Sequence, residues 1–269
     1  MEQGSLLVEW KKDAYELWIN LKFEFLKIRR SSKLLLAIGL AAVLPLLFYF
    51  IPLLSGGGFP DNAGDFISQN MNFVSLIIVF TAMLLAGDII NKEHSNKTAL
   101  ILYPLPQRRT NILISKYVVS LFSSWFALFI YYLFTAVSVA LQYGFSEIPE
   151  EMIKSYLFAA LYLSAVLSVA YFLSAWLKSP GASMTLTFFG VMIFLPITVR
   201  LLDIIGIDSS WIFTNYSTII TSIFRFPSGQ FGVATAITED EFYKAIKVVT
   251  TSAIIFFLAA FGLELNKEA

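Results

Sequence analysis

Uncharged apolar runs, each close to the length that crosses a bilayer core, recur six times along the chain between charged or turn-forming residues. They occupy residues 34–54, 73–90, 112–142, 156–177, 182–202 and 248–263. The first contains Pro45 and Pro52, which a membrane helix tolerates when neighbouring groups satisfy the freed carbonyls. The third is long enough to tilt or to project beyond the membrane. Ahead of the first run, Leu7, Trp10, Ala14, Leu17, Leu21, Phe25 and Ile28 recur every three or four residues, with Lys12, Asp13, Glu16, Asn20, Glu24 and Lys27 largely between them. That spacing predicts an amphipathic helix over residues 1–32, lying on the membrane with Trp10, Trp18 and the lysines at headgroup depth. The fold expected is therefore all-α and polytopic. A single transmembrane domain spans 1–269, with an interfacial helix (1–32) followed by a six-span bundle (33–269). About thirty polar and amphipathic residues precede the first run, which does not fit a cleavable signal peptide.

Composition agrees with the pattern: 57% of residues are hydrophobic, 14% are charged, and the mean hydropathy is +0.72. Nineteen basic residues balance 19 acidic ones, which disfavours nucleic-acid binding. With no cysteine and one histidine, the chain builds no disulfide framework, thiolate nucleophile or multi-histidine metal site. Charge placement says more than the total. With the N-terminus inside, only Lys154, Arg200, Arg225, Lys244 and Lys247 fall on the outer side, and the other 14 of the 19 basic residues lie on the inner side. Both termini are then cytoplasmic, in the cell (plasma) membrane, with outer loops at 55–72 and 143–155 and a long outer segment at 203–247.

None of the six runs carries an ionisable residue at its centre, which disfavours a proton relay, voltage sensor or ion-coupled carrier. His94 stands alone, so no serine–histidine pair assembles at membrane depth. What the spans do carry is small and hydroxyl side chains. Ala160, Ser164 and Ser168 fall at four-residue intervals on span four, and Ser123, Ser124, Tyr131, Tyr132 and Thr135 lie on span three. Ser123, Tyr131, Tyr132, Ser164 and Ser168 fit either a helix–helix seam or a weakly polar path for an amphiphile. The outer segment at 203–247, rich in Trp211, Phe213, Tyr216, Phe224, Phe226, Phe231, Phe242 and Tyr243 and broken by Pro227, Gly229 and Gly232, suits short helices packed over the outer leaflet.

Residues 87–116, between spans two and three, are the most informative stretch. Asn96, or Ser95 beside it, is placed to cap a short helix through Thr98, Leu100 and Leu102, which Pro104 and Pro106 would end. The result is a cytoplasmic knob with an apolar side (Leu100, Ile101, Tyr103, Leu105) and a basic tip (Arg108, Arg109). It fits a docking element for a partner protein, or an ordinary loop under the positive-inside rule.

Glu93, Thr98, Pro106, Arg109 and Lys116 resemble the pattern E-x-x-x-G-T, then P-x-x-R, then a lysine opening the next helix, of permeases of type 2 ABC (ATP-binding cassette) transporters; Lys97 stands where the family usually has glycine. The six-span outline, the leading amphipathic helix and the long final outer segment resemble that family too. The resemblance implies that Glu93, Thr98, Pro106, Arg108, Arg109 and Lys116 belong to a coupling helix seated on a separate ATPase subunit, with Arg109 and Glu93 orienting it and Lys116 fixing the start of span three. It implies a lid over the pathway in the outer segment. It also implies a second permease chain, identical or related, membrane lipid as surroundings, and export as the direction. The chain has no G-x-x-x-x-G-K-[ST] motif, so no cofactor is expected on it, and ATP and Mg belong to the partner. The rival reading is a non-transporting membrane scaffold or assembly factor, with a stand-alone channel or carrier behind it.

Overall fold

The computed structural model describes residues 2–56, 58–92, 109–224 and 238–266, with side chains from residue 13 onward. These residues are helical or turn, with no strand among them, and six of the helices are long and apolar enough to cross a membrane. α1 (Glu2–Arg29) leads into span one, α2 (Ser32–Ser55), through Ser31, whose side chain accepts the Lys33 N–H at 3.2 Å and caps the new helix. Span two is made of α3 (Ala63–Met71) and α4 (Val74–Ala86), and span three is α5 (Arg109–Tyr143). At 35 residues, α5 is roughly 50 Å long, well beyond a bilayer core. Span four is α6 (Glu151–Trp176). Span five combines α7 (Pro180–Phe189), a π-helical turn at Gly190–Phe194, and α8 (Leu195–Ile205). A 3₁₀ turn at Phe213–Tyr216 and α9 (Ile219–Ser222) precede span six, α10 (Glu239–Asn266).

Two boundaries differ from the expectation, and one span changes pitch within itself. The stretch expected as an outer loop at 55–72 is helical from Ala63, because Phe66, Ile67 and Met71 are buried and Asn70 donates back to Phe66 O at 2.9 Å within the helix. Span six begins at Glu239, ahead of the apolar run. Thr238 Oγ1 accepts the Glu241 N–H at 3.3 Å and Glu241 Oε2 accepts the Thr238 N–H at 3.2 Å, a reciprocal capping box that draws Lys244 and Lys247 into the helix. Span five changes pitch where Pro196 has no N–H to offer Met192, and the Leu195 N–H bonds to Gly190 O instead.

α6 is the axis of the bundle: 78% of its apolar window is buried, against 17%, 11% and 11% for spans one, five and six. Its Ala159, Ala160, Ser164, Ala165, Ser168, Ala170 and Ala175 let neighbours approach closely. α10 runs along it, with Phe158 against Phe242 and Phe172 against Phe256 at 5.6 and 5.7 Å between ring centroids. Two ends can be told apart. One, the basic end, carries Lys33, Asp88 and Lys116; the other carries Tyr143 and Glu151.

At the opposite end from the basic one, the described part of the long outer segment folds back onto the core. Phe213, Tyr216, Ile219, Ile220 and Phe224 are buried, and Ser155 donates to Ile220 O at 2.8 Å. Asp208 accepts the backbone N–H and the hydroxyl of Ser210 at 2.9 and 2.8 Å, contacts that hold its carboxyl below the usual carboxylate range. A cavity of about 410 Å³ opens beside these turns, lined by Glu151, Lys154, Ser222, Glu239 and Phe242.

Candidate functional site

The residues flanking 93–108 are held by buried polar contacts on both sides. After α4 the chain turns at Gly87, whose carbonyl accepts a hydrogen bond from Ser183 Oγ of α7. Four residues on, Asn91 is buried. Its Nδ2 donates to Ser183 Oγ at 2.8 Å and to Ser179 O at 3.2 Å, and Ser174 Oγ of α6 accepts the N–H groups of Ile90 and Asn91 at 3.0 and 3.4 Å. Serine and asparagine are suited to this work: their short side chains reach backbone groups that helix ends leave unpaired. Asp88, in the same turn, is ion-paired with Lys33 at the start of span one.

On the far side of the segment, α5 opens with Arg109 and buries Lys116 two turns later. Lys116 is 1% exposed and Glu24 of α1 is 5% exposed, and Lys116 Nζ donates to Glu24 Oε1 at 2.7 Å. A charge so buried persists only when paired. Lys27 Nζ stands 3.6 Å from the second oxygen, Oε2, which accepts no hydrogen bond. Ser120 Oγ, one turn further along α5, donates to Leu85 O at 3.1 Å, and Tyr171 OH of α6 donates to Leu113 O at 2.9 Å. The first three turns of span three are thereby bonded to α1, α4 and α6 together.

Glu24 is where the helix departs from the sequence expectation. The face of α1 turned to the bundle carries Leu17, Leu21 and Ile28 as expected, but also Asn20 and Glu24, whereas Ala14 and Phe25 are exposed. The opposite face exposes Tyr15, Trp18, Ile19, Lys22, Phe23, Leu26 and Arg29, with no acidic residue among them. Helical periodicity alone could have placed Glu24 with Leu17, Leu21 and Ile28; its charge argued the other way.

Of the residues expected to form the coupling element, Glu93, Thr98, Pro106 and Arg108 lie outside the described residues, and Arg109 and Lys116 lie in the first turns of α5. The hydroxyl group of residues sits deeper in the bundle. Ser164 Oγ accepts the Trp125 Nε1 hydrogen at 3.2 Å and donates to Ala160 O at 2.8 Å, while Ser168 Oγ lies 2.8 Å from Tyr117 OH and donates to Ser164 O at 2.9 Å. Tyr132 OH lies 2.8 Å from Ser155 Oγ, and Tyr131 OH donates to Asn70 O at the junction of α3 and α4. Ser123 is buried on α5 as well. These groups hydrogen-bond between spans two, three and four, and none of them lines the cavity beside Glu151 and Lys154.

Among known protein families, the model described as "ABC-2 family transporter protein" matches residues 20–194, from the second half of α1 to the end of the π-helical turn of span five. No curated protein matches the chain.

Proposed function

Since the chain belongs to the ABC-2 family of transporter membrane proteins, we propose that it is one of two permease chains of an ATP-driven exporter, coupled to a separate ATPase through residues 93–116. The family match carries this reading, because it spans the second half of α1, the first four spans and the whole of that segment. The chain offers no phosphate cradle of its own: Gly56, Gly57 and Gly58 are followed by Phe59 and Pro60, so ATP and Mg bind on the partner. The basic end of the bundle faces the cytoplasm of the cell, with both termini on that side, in keeping with the basic residues around spans one to three.

Glu93, Thr98, Pro106, Arg108 and Arg109 form the contact with the ATPase, and Lys116 ties it to the bundle. Closure of two ATPase subunits on ATP draws two such segments together. The motion passes through Asn91 into the start of span five and through Lys116 into α1 and span three, alternately opening a path between the two permease chains. The path lies between chains and not within one, and the bonding of Tyr131, Tyr132, Ser164 and Ser168 to groups of their own chain supports that reading. The second copy is identical or closely related, and spans one and five, largely unburied in one chain, provide apolar surface for it and for lipid.

The test is Arg109→Glu. Arg109 is half-buried at the head of α5, at the edge of the fold, so the variant should insert and fold while binding of the ATPase subunit and ATP-dependent transport both fall. Co-purification of the ATPase in unchanged amount would count against this assignment. A scaffold without a coupled ATPase would show no nucleotide-dependent change in either form.

A further inference from the structure

A buried ion pair is a costly way to join two helices. Desolvating both charges offsets most of their attraction, and apolar side chains of similar volume in the same place are often as stabilising or more so. The seam between α1 and α5 nevertheless buries Glu24 and Lys116 in contact, and the buried Nδ2 atoms of Asn20 on α1 and Asn111 on α5 have no hydrogen-bond partner among the described residues. What a charge pair supplies and an apolar seam does not is a single register, since a slip of either helix pulls the two opposite charges apart in a medium of low dielectric constant. The position matters as well: Lys116 is seven residues beyond Arg109, at the head of the helix that leaves the coupling segment, and Glu24 is on a helix whose other face is aromatic, aliphatic and basic.

We infer that Glu24 and Lys116 are a positioning pair that locks α1 to the first turns of span three, so that the interfacial helix travels with the coupling segment as one body. The inference rests on the coupling role proposed above for residues 93–116. It makes α1 part of the moving machinery, whereas an anchor held only by lipid would let span three slide past it. Lys33 and Asp88 join the next pair of elements, span one and the turn after span two, so both halves of the basic end are tied across helices by opposite charges.

The chain has no cysteine, so spin labels can be placed without first removing native thiols. A pair at Lys22→Cys and Phe122→Cys, both exposed, reports the distance from α1 to span three, and a single label at the exposed Lys178→Cys reports the separation of the two permease copies. Pulsed electron paramagnetic resonance is recorded on the full complex with its ATPase, with and without Mg-ATP. With the native pair, ATP is expected to shift the Lys178 separation and leave the 22–122 distance single and unchanged. In a Glu24→Leu/Lys116→Met background, which keeps apolar volume and removes both charges, the 22–122 distance is expected to broaden and to shift with ATP. Lys116→Arg, which keeps the charge, should follow the native chain.

A 22–122 distance that changes with ATP in the native chain overturns the inference, and so does a double variant indistinguishable from it, which would make the pair static packing. The native measurement decides the question even if the double variant fails to assemble. An unchanged Lys178 separation in the native complex has a different meaning: it contradicts the ATP-driven motion, and the proposed function falls together with the inference.

Discussion

At Gly87 a side chain has no room. A Cβ there would stand 2.5 Å from Met83 O in the last turn of α4, 3.2 Å from Met184 Cγ and 3.3 Å from Met184 Cα, and α7 must come this close for Ser183 to reach the Gly87 carbonyl. Gly87→Val should push α7 away, break the Ser183 and Asn91 contacts with it, and cost about 1–3 kcal/mol, the usual range for overpacking a close contact. The loss would be read as a lower Tm of the purified protein in detergent, and an unchanged Tm would show that α7 can shift freely. Asn91 itself was not legible as a structural residue. A polar residue just after an apolar run reads as solvated, and only the distant Ser174, Ser179 and Ser183 make it a buried joint. Glu24 is the same case: its partner is 92 residues away, and no local pattern carries that distance.

Elements were legible to the extent that their apolar runs were uninterrupted. Spans one, three, four and five fall where the runs predicted them, because a bilayer selects for length and lack of charge. Span two was read too short. Asp65, Ser68 and Asn70 break its pattern at α3, yet in a helix 61% buried against protein polar side chains can bond to their own backbone, as Ser68 does to Asp65 O at 2.9 Å. Span six was read too short for a different reason: its first two turns are polar, and the signal for its start is the Thr238–Glu241 capping box. Thr238→Ala should weaken that start by about 1 kcal/mol, the usual worth of an N-cap. Hydrogen exchange of the amides of Glu239, Asp240 and Glu241 should then accelerate while those of the helix centre hold. Equal exchange in both proteins would mean that packing on α6, and not the cap, sets where span six begins.

For the molecule as a whole, the order and number of spans were readable from the chain, but their arrangement was not. Lipid tails and a protein core are equally apolar, so nothing in an apolar run says whether it faces one or the other. α6, the most buried span, is distinguished chiefly by small residues at close intervals, and that signal marks close helix approach without naming the partner helices. The same ambiguity covers the Tyr131, Tyr132, Ser164 and Ser168 group, whose hydroxyls suit a path as well as a seam in the sequence and bond to neighbouring spans in the fold. Family membership gives the molecule its context: a membrane permease subunit of an ABC transporter.

The most direct measurement is mild-detergent purification of the chain from the membranes of its own host, with mass spectrometry of the proteins that accompany it and an ATPase assay of the sample. The account predicts an ATP-binding-cassette subunit in stoichiometric amount, with ATP hydrolysis lost on Arg109→Glu together with that subunit. A chain recovered alone and without ATPase activity, under conditions that keep other membrane complexes intact, would contradict it.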